Sequence, residues 1–263
     1  MMSPLSFHWS ILQFQSFTLI LMRVSPIVFL MPLWGTRQVP NVVKAGLALL
    51  IGLILLPVVT VELRDFPRAP AEFAYLIGTE LMLGFILGLS VKLIFAGIQL
   101  AGESASYQMG LAMANILDPQ SNTSTTLVAE FAYLFALLIF LMIDGHHWFL
   151  RALAQSFSLI PPGGLHLQSA LLPHFSRLSA EMFVIAVKLI APIMAVLLLT
   201  QIALGLVAKM VPQINVLMTS FPLTIGLGLF FFGLSLDLFG PYVKNLLEEA
   251  GAGLIRTLLP LLR

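Results

Sequence analysis

Residues 99–126 read QLAGESASYQMGLAMANILDPQSNTSTT, and this stretch decides how the chain is understood. It is small, amide-rich and hydroxyl-rich, dotted with Met, and apolar runs of membrane-spanning character lie on either side. No Lys or Arg occurs between Lys92 and Arg151. Irregular polar chain at membrane depth must be buried in protein or line a water-filled path, because lipid offers free backbone groups no partner. The stretch points to a conduit and away from a catalyst.

Composition agrees with a membrane protein. Of 263 residues, 59% are apolar and only 10% charged, against about 25% charged in soluble domains. The formal net charge of +1 gives no basic surface for nucleic acid. Cys is absent, so disulfides, thiolate zinc sites and Cys-ligated iron centres are excluded. The opening MMSPLSFHWS has no Lys or Arg and so lacks the basic region of a signal peptide; the chain reads as mature.

Six apolar segments can be placed, at about 20 residues per crossing: 11–31, 42–61, 73–99, 127–150, 178–208 and 214–236. The expected fold is all-α, a polytopic membrane protein of about six long apolar helices with bends. Trp9 and Trp34 bracket the first segment as an interfacial belt. Charges fall well inside three segments: Arg23 in the first, Glu80 and Lys92 in the third, Lys188 in the fifth. Each costs about 2.5–3.5 kcal/mol at mid-bilayer, so such residues are expected to face a bundle interior, a cavity or a partner subunit. Glu80 and Lys92 cannot neutralise each other along one helix, since their spacing puts them roughly 18 Å apart. Their partners must lie on other helices or other chains. If all six segments cross, the Lys/Arg balance puts both termini in the cytoplasm.

Small residues recur at helical spacing: Gly84 and Gly88, then Gly102, Ser106 and Gly110. Such rows let helix backbones approach closely. Residues 243–263 are too polar to span and read as an amphipathic docking helix. Leu247, Leu254, Leu258 and Leu261 form one stripe, and Glu249, Arg256 and Arg263 another. A membrane surface and a partner protein compete as its docking site.

No GxSxG, HExxH, Walker or GxGxxG motif is present, so no enzyme chemistry and no nucleotide-driven transport is expected. No cofactor is implied. Asp144-Gly145-His146-His147 reads as a polar helix end, because adjacent His on a helix diverge by about 100° and chelate one metal poorly. An alternative reading is a secondary transporter with Glu80, Lys92 and Asp144 as coupling residues. It would require two repeated halves with matched broken helices, and no such symmetry is visible.

Several strings, in order, carry a resemblance. They are Arg23-Val24-Ser25-Pro26, Gly35, Arg37-Gln38-Val39-Pro40, then Glu80, Gly84 and Gly88. Gln99, Gly102, Gln108, Gly110 and Asp118-Pro119 follow, then Asp144-Gly145-His146, Ser156-Phe157 and Pro161. The most specific are Val211-Pro212-Gln213-Ile214-Asn215-Val216 and Phe221-Pro222-Leu223. Together they resemble the FliR/SctT family, the export-gate subunit of flagellar and injectisome type III secretion. Gln201 and Lys209 depart from the Asn and Arg common in that family, and Lys209 cannot reproduce a bidentate Arg contact. Residues 221–226 look more flagellar than injectisome.

The resemblance implies one copy of this chain in a helical, pore-containing assembly with FliP-like and FliQ-like membrane subunits and an FlhB-like subunit. That assembly exports unfolded polypeptides from the bacterial inner membrane, at a flagellar basal body or injectisome base. It implies a FliP-like part at 1–179 and a FliQ-like helical hairpin at 180–263, marked by Pro212, Gln213, Asn215, Phe221 and Pro222. It further implies that an inner loop, about 107–120, plugs the closed channel, with Tyr107, Gln108, Met109, Gly110, Met113, Asn115, Asp118 and Pro119 as plug residues. Met109 and Met113, four apart, would seal it, since Met packs adaptably. Asp118-Pro119 would end its helical turn. Arg23, Glu80, Lys92, Lys188 and Lys209 are the expected buried charges between subunits.

Overall fold

The computed structural model describes residues 11–36, 38–59, 69–111, 126–166, 168–210 and 216–262; side chains are described for all of these but 11, 12 and 216–219. The described residues are helical with no strand. The helices are α1 (Ile11–Leu30), α2 (Asn41–Leu55), α3 (Pro70–Met109), α4 (Leu127–Met142), α5 (Gly145–Leu159), α6 (Leu171–Met210) and α7 (Val216–Gly253). The last continues through a π-helical turn, Leu254–Leu258, into a final turn, Leu259–Leu261. All-α architecture with apolar helices is as expected from the sequence, but the count differs. Among the described residues, four helices are long and apolar enough to cross a membrane, or five if the α4–α5 pair is one span. The six crossings behind the expected orientation are therefore not what the described residues provide.

Three local features separate the structure from that expectation. First, α2 has only 15 residues and falls short of a bilayer core. Second, the fourth segment is two helices bent by 66°. The break falls at Asp144, whose φ of 56° is left-handed, a conformation that Asp tolerates better than most residues. Gly145 then sits against the Phe140 ring and backbone, leaving no room for a Cβ. Third, helices run on where the sequence suggested ends. The 40-residue α3 passes through Gln99, Gly102 and Ser106, so the first part of the polar stretch is helix. Pro222 and Pro241 lie inside α7, and Pro192 lies inside α6. A 40-residue helix is about 60 Å long, about twice a hydrocarbon core.

The chain forms two compact units, each discontinuous: Met1–Lys92, His146–Phe175 and Ala250–Arg263 in the first, Leu93–Gly145 and Ser176–Glu249 in the second. Neither follows the sequence division at 179/180, which rests on resemblance to two partner subunits and not on compactness.

In the first unit, α1 and α2 pair through small residues. Lys44, Ala48 and Gly52 form the buried stripe of α2, and Gly52 meets Phe17 and Leu21 of α1. Lys44 is buried because its Nζ donates to the Thr36 carbonyl (2.9 Å) and lies 5.8 Å from the Phe29 ring centroid. The Gly84/Gly88 pair is the α1–α3 crossing. A Cβ on Gly84 would strike the Arg23 carbonyl oxygen and come within 3.1 Å of Pro26, and one on Gly88 would meet Leu30. The end of the chain packs here too. Leu254 and Leu258 are buried, Gly251 lies against the Trp148 ring, and the His166 amide donates to the Leu262 carbonyl (3.3 Å). The apolar stripe expected in the tail is real, but it is the continuation of α7 and it docks on this chain.

In the second unit, Gly97 of α3 meets Met182 and Ile185 of α6, and Gly102 meets Val128 and Ala129 of α4. Edge-to-face ring pairs tie α3 to α4 (Phe95 with Tyr133 and Phe140) and α4 to α7 (Phe131 with Phe232, Phe135 with Phe239). Large apolar side chains also point outward, such as Phe183, Val187, Leu198 and Leu199 on α6. Apolar surface of that extent marks contact with lipid or with other protein.

Candidate functional site

The first cluster is built around Arg23 of α1, which is fully buried. Its Nε donates to Glu80 Oε2 (2.5 Å) and its Nη2 to Glu80 Oε1 (3.0 Å), a bidentate pair with α3. Nη1 donates to Ser156 Oγ (3.1 Å) and Nη2 also to the Ile160 carbonyl (3.0 Å), at the end of α5. The guanidinium carbon lies 4.1 Å from the Phe157 ring centroid. Local sequence explains the arrangement. Ser156 and Phe157 lie in the last turn of α5 and Ile160 directly follows it, where Pro161 ends the helix and the terminal carbonyls lose their helical N–H partners. Arg23 satisfies one of them. Ser156 passes its own proton to the Leu153 carbonyl (2.7 Å), so its oxygen is free to accept from Arg23.

Arg23 and Glu80 are buried as expected, but they neutralise each other within the chain. This corrects the expectation that they await another subunit. Fifty-seven residues separate them, so no local pattern could have joined them. Lys92, Lys188 and Lys209 are exposed on the surface of this chain. Lys188 Nζ lies 5.8 Å from the Tyr242 ring centroid, and Lys209 stands in the last turn of α6, where a cation suits the helix dipole. Of the three residues weighed as coupling groups, Glu80 is held by Arg23 and Lys92 is exposed.

The second cluster is the end of α3. Gly110 has φ of 87°, its N–H donates to the Tyr107 carbonyl (3.2 Å), and the Leu111 N–H donates to the Ser106 carbonyl (3.0 Å). These two bonds around a left-handed Gly are a Schellman cap, which stops the helix at Met109. Met109 is fully buried, against Gly228 of α7. Its carbonyl accepts from Thr224 Oγ1 (3.0 Å). The Phe221 ring covers Gly110 so closely that a Cβ there would come within 2.7 Å. Met109 is thus an anchor inside the chain; the helix continues through 107–109, which turns its side chain towards α7. Tyr107 is exposed and Gln108 half-buried. Met113, Asn115, Asp118 and Pro119 lie outside the described residues, as do Pro212, Gln213 and Asn215. Phe221 and Pro222 lie in the first turns of α7. The role of Thr224 was not read from the sequence. Gly110 after a long helical run was its only legible signal.

The chain matches the family model described as "Bacterial export proteins, family 1" over residues 14–250. It is 33% identical to the flagellar biosynthetic protein FliR of Pectobacterium carotovorum subsp. carotovorum, over 86% of each chain. It is 31% identical to FliR of Escherichia coli strain K12, over 87% of each. It is 32% identical to FliR of Bacillus subtilis strain 168, over 81% of this chain and 82% of that one. The chain belongs to family 1 of the bacterial export proteins, the FliR family.

Proposed function

We propose that this protein is a non-enzymatic subunit of the flagellar type III export gate in the bacterial inner membrane. With FliP-like and FliQ-like subunits and an FlhB-like subunit it forms the channel through which unfolded polypeptides leave the cell. Family membership across residues 14–250 is the observation that carries this reading. Two features of the chain support it. Helices α3, α6 and α7 exceed a bilayer's thickness, which suits helices held partly above the membrane by neighbours. Lys92, Lys188 and Lys209 are exposed on apolar helices, where a charge needs a partner or water. The residues 180–263 act as the FliQ-like part, and the loop within 107–120 plugs the resting channel.

The test is co-expression with the candidate partner subunits and native mass measurement in mild detergent. One large particle containing this chain is expected. A monodisperse, well-behaved monomer that never joins the co-expressed subunits would overturn the reading. Removing residues 113–119 from the assembled particle should raise ion leakage through it, while leaving its mass otherwise unchanged. Membranes as tight as the parent's would overturn the plug.

A further inference from the structure

The end of α3 is held by more than its own cap. Four helix-terminal carbonyls must find partners when a helix stops inside protein. The Schellman bonds satisfy those of Ser106 and Tyr107. That of Met109 is satisfied by a hydroxyl from another helix, Thr224 Oγ1 at 3.0 Å. The same hydroxyl lies 2.9 Å from the Ser220 carbonyl and 3.2 Å from that of Phe221, both in its own helix. It has one proton and so can serve one of the three at a time. Donation to Met109 clasps α3 to α7. Donation back to Ser220 releases α3 at no loss of a hydrogen bond for Thr224. Two features favour the clasped arrangement. Gly228, lacking a side chain, leaves the notch that Met109 fills, and Phe221 covers the one face of Gly110 that a Cβ would occupy.

We propose that Phe221, Thr224 and Gly228 form a clasp on α7 that fixes where the chain leaves α3, with Thr224 as a two-position hydroxyl. They are positioning residues for the gate: the part read as FliQ-like sets the entry to the loop carried by the part read as FliP-like. The inference rests on the loop reading above only for its effect on leakage. The clasp itself is a property of the second unit.

Thr224→Val keeps the shape and removes the hydroxyl, and Thr224→Ser keeps the hydroxyl. Loss of the donor to a buried carbonyl should shift the clasped-to-released ratio on the order of tenfold. Two readouts are taken on the co-assembled complex, at equal assembled mass. One is amide hydrogen exchange at Gly110 and Leu111. The other is ion leakage, beside a variant lacking residues 113–119. Thr224→Val should speed exchange about tenfold and raise leakage, and Thr224→Ser should resemble the parent. Should Thr224→Val not assemble, Phe221→Leu carries the same test, because Phe221 is half-buried and Leu retains apolar bulk. Unchanged exchange in the valine variant, or in the leucine variant where it stands in, would overturn the clasp. Equal acceleration by Thr224→Ser would overturn the hydroxyl's role. Faster exchange in a complex whose loop-shortened variant does not leak would support the clasp and count against the plug.

Discussion

Glu80→Gln should be among the most damaging single substitutions in this chain. The change keeps the volume and one acceptor oxygen, but leaves the Arg23 guanidinium buried without a counter-charge. Breaking a buried pair from one side costs about 3–5 kcal/mol, because the remaining ion has lost its compensation. That is a large fraction of the about 5–15 kcal/mol by which domains are stable. The damage should reach three helices, since Arg23 also binds Ser156 and the end of α5. Arg23→Met with Glu80→Met removes both charges and should recover most of the loss, as well-packed apolar replacements of buried pairs often do. Ser156→Ala should cost less, about 1.5–3 kcal/mol, the value of one hydrogen bond to a charged group. The measurement is thermal unfolding of the co-purified protein in detergent, with protease resistance in membranes as a second reading. A single Glu80→Gln variant as stable as the parent would contradict the pairing.

These residues also show where the sequence was readable and where it was not. Composition and helix type followed from patterning, because apolar runs of this length have one stable form in lipid. That Arg23 and Glu80 needed partners followed from the cost of burying charge. That they were each other's partner did not, because pairing across α1 and α3 is a tertiary fact. The rows of small residues were read correctly at Gly84, Gly88 and Gly102 as packing positions. Gly110 continued the row by spacing alone; its left-handed φ makes it a terminator, a role that Gly after a long helix could have suggested. Asp144-Gly145 was read as a helix end, and a turn signal of that kind also permits a second helix to start at once. The tail's stripe was legible as a stripe. Its docking surface was not, because a hydrophobic pattern says that something covers it and never what.

The second large effect should come from adding a single methyl group, with opposite signs along one helix. Gly78 has nothing within 4 Å of where a Cβ would stand. Gly78→Ala should therefore stabilise the protein by about 0.5–1 kcal/mol, through the restricted unfolded chain and better helix propensity. Gly84 lies six residues later on α3, and its Cβ would strike the Arg23 carbonyl oxygen and the Pro26 ring. Backbone cannot rotate away as a side chain can. The helices must separate, at an overpacking cost of about 1–3 kcal/mol. Gly102→Ala meets the backbone of Ala129, 2.5 Å away at Cα, and should behave alike in the second unit. The Gly84 substitution carries an added consequence, because Gly84 is one helical turn from Glu80. Pushing α1 off α3 there lengthens the Arg23–Glu80 bonds, so Gly84→Ala and Glu80→Gln should be non-additive. Their combined loss should fall short of the sum, as for residues in one network. Gly102→Ala, whose contacts lie in the other unit, should add to Glu80→Gln in full. Thermal shifts of the four single variants and the two pairs decide the matter. If Gly84→Ala proves as harmless as Gly78→Ala, the close α1–α3 crossing is wrong, and the geometry that brings Arg23 to Glu80 falls with it.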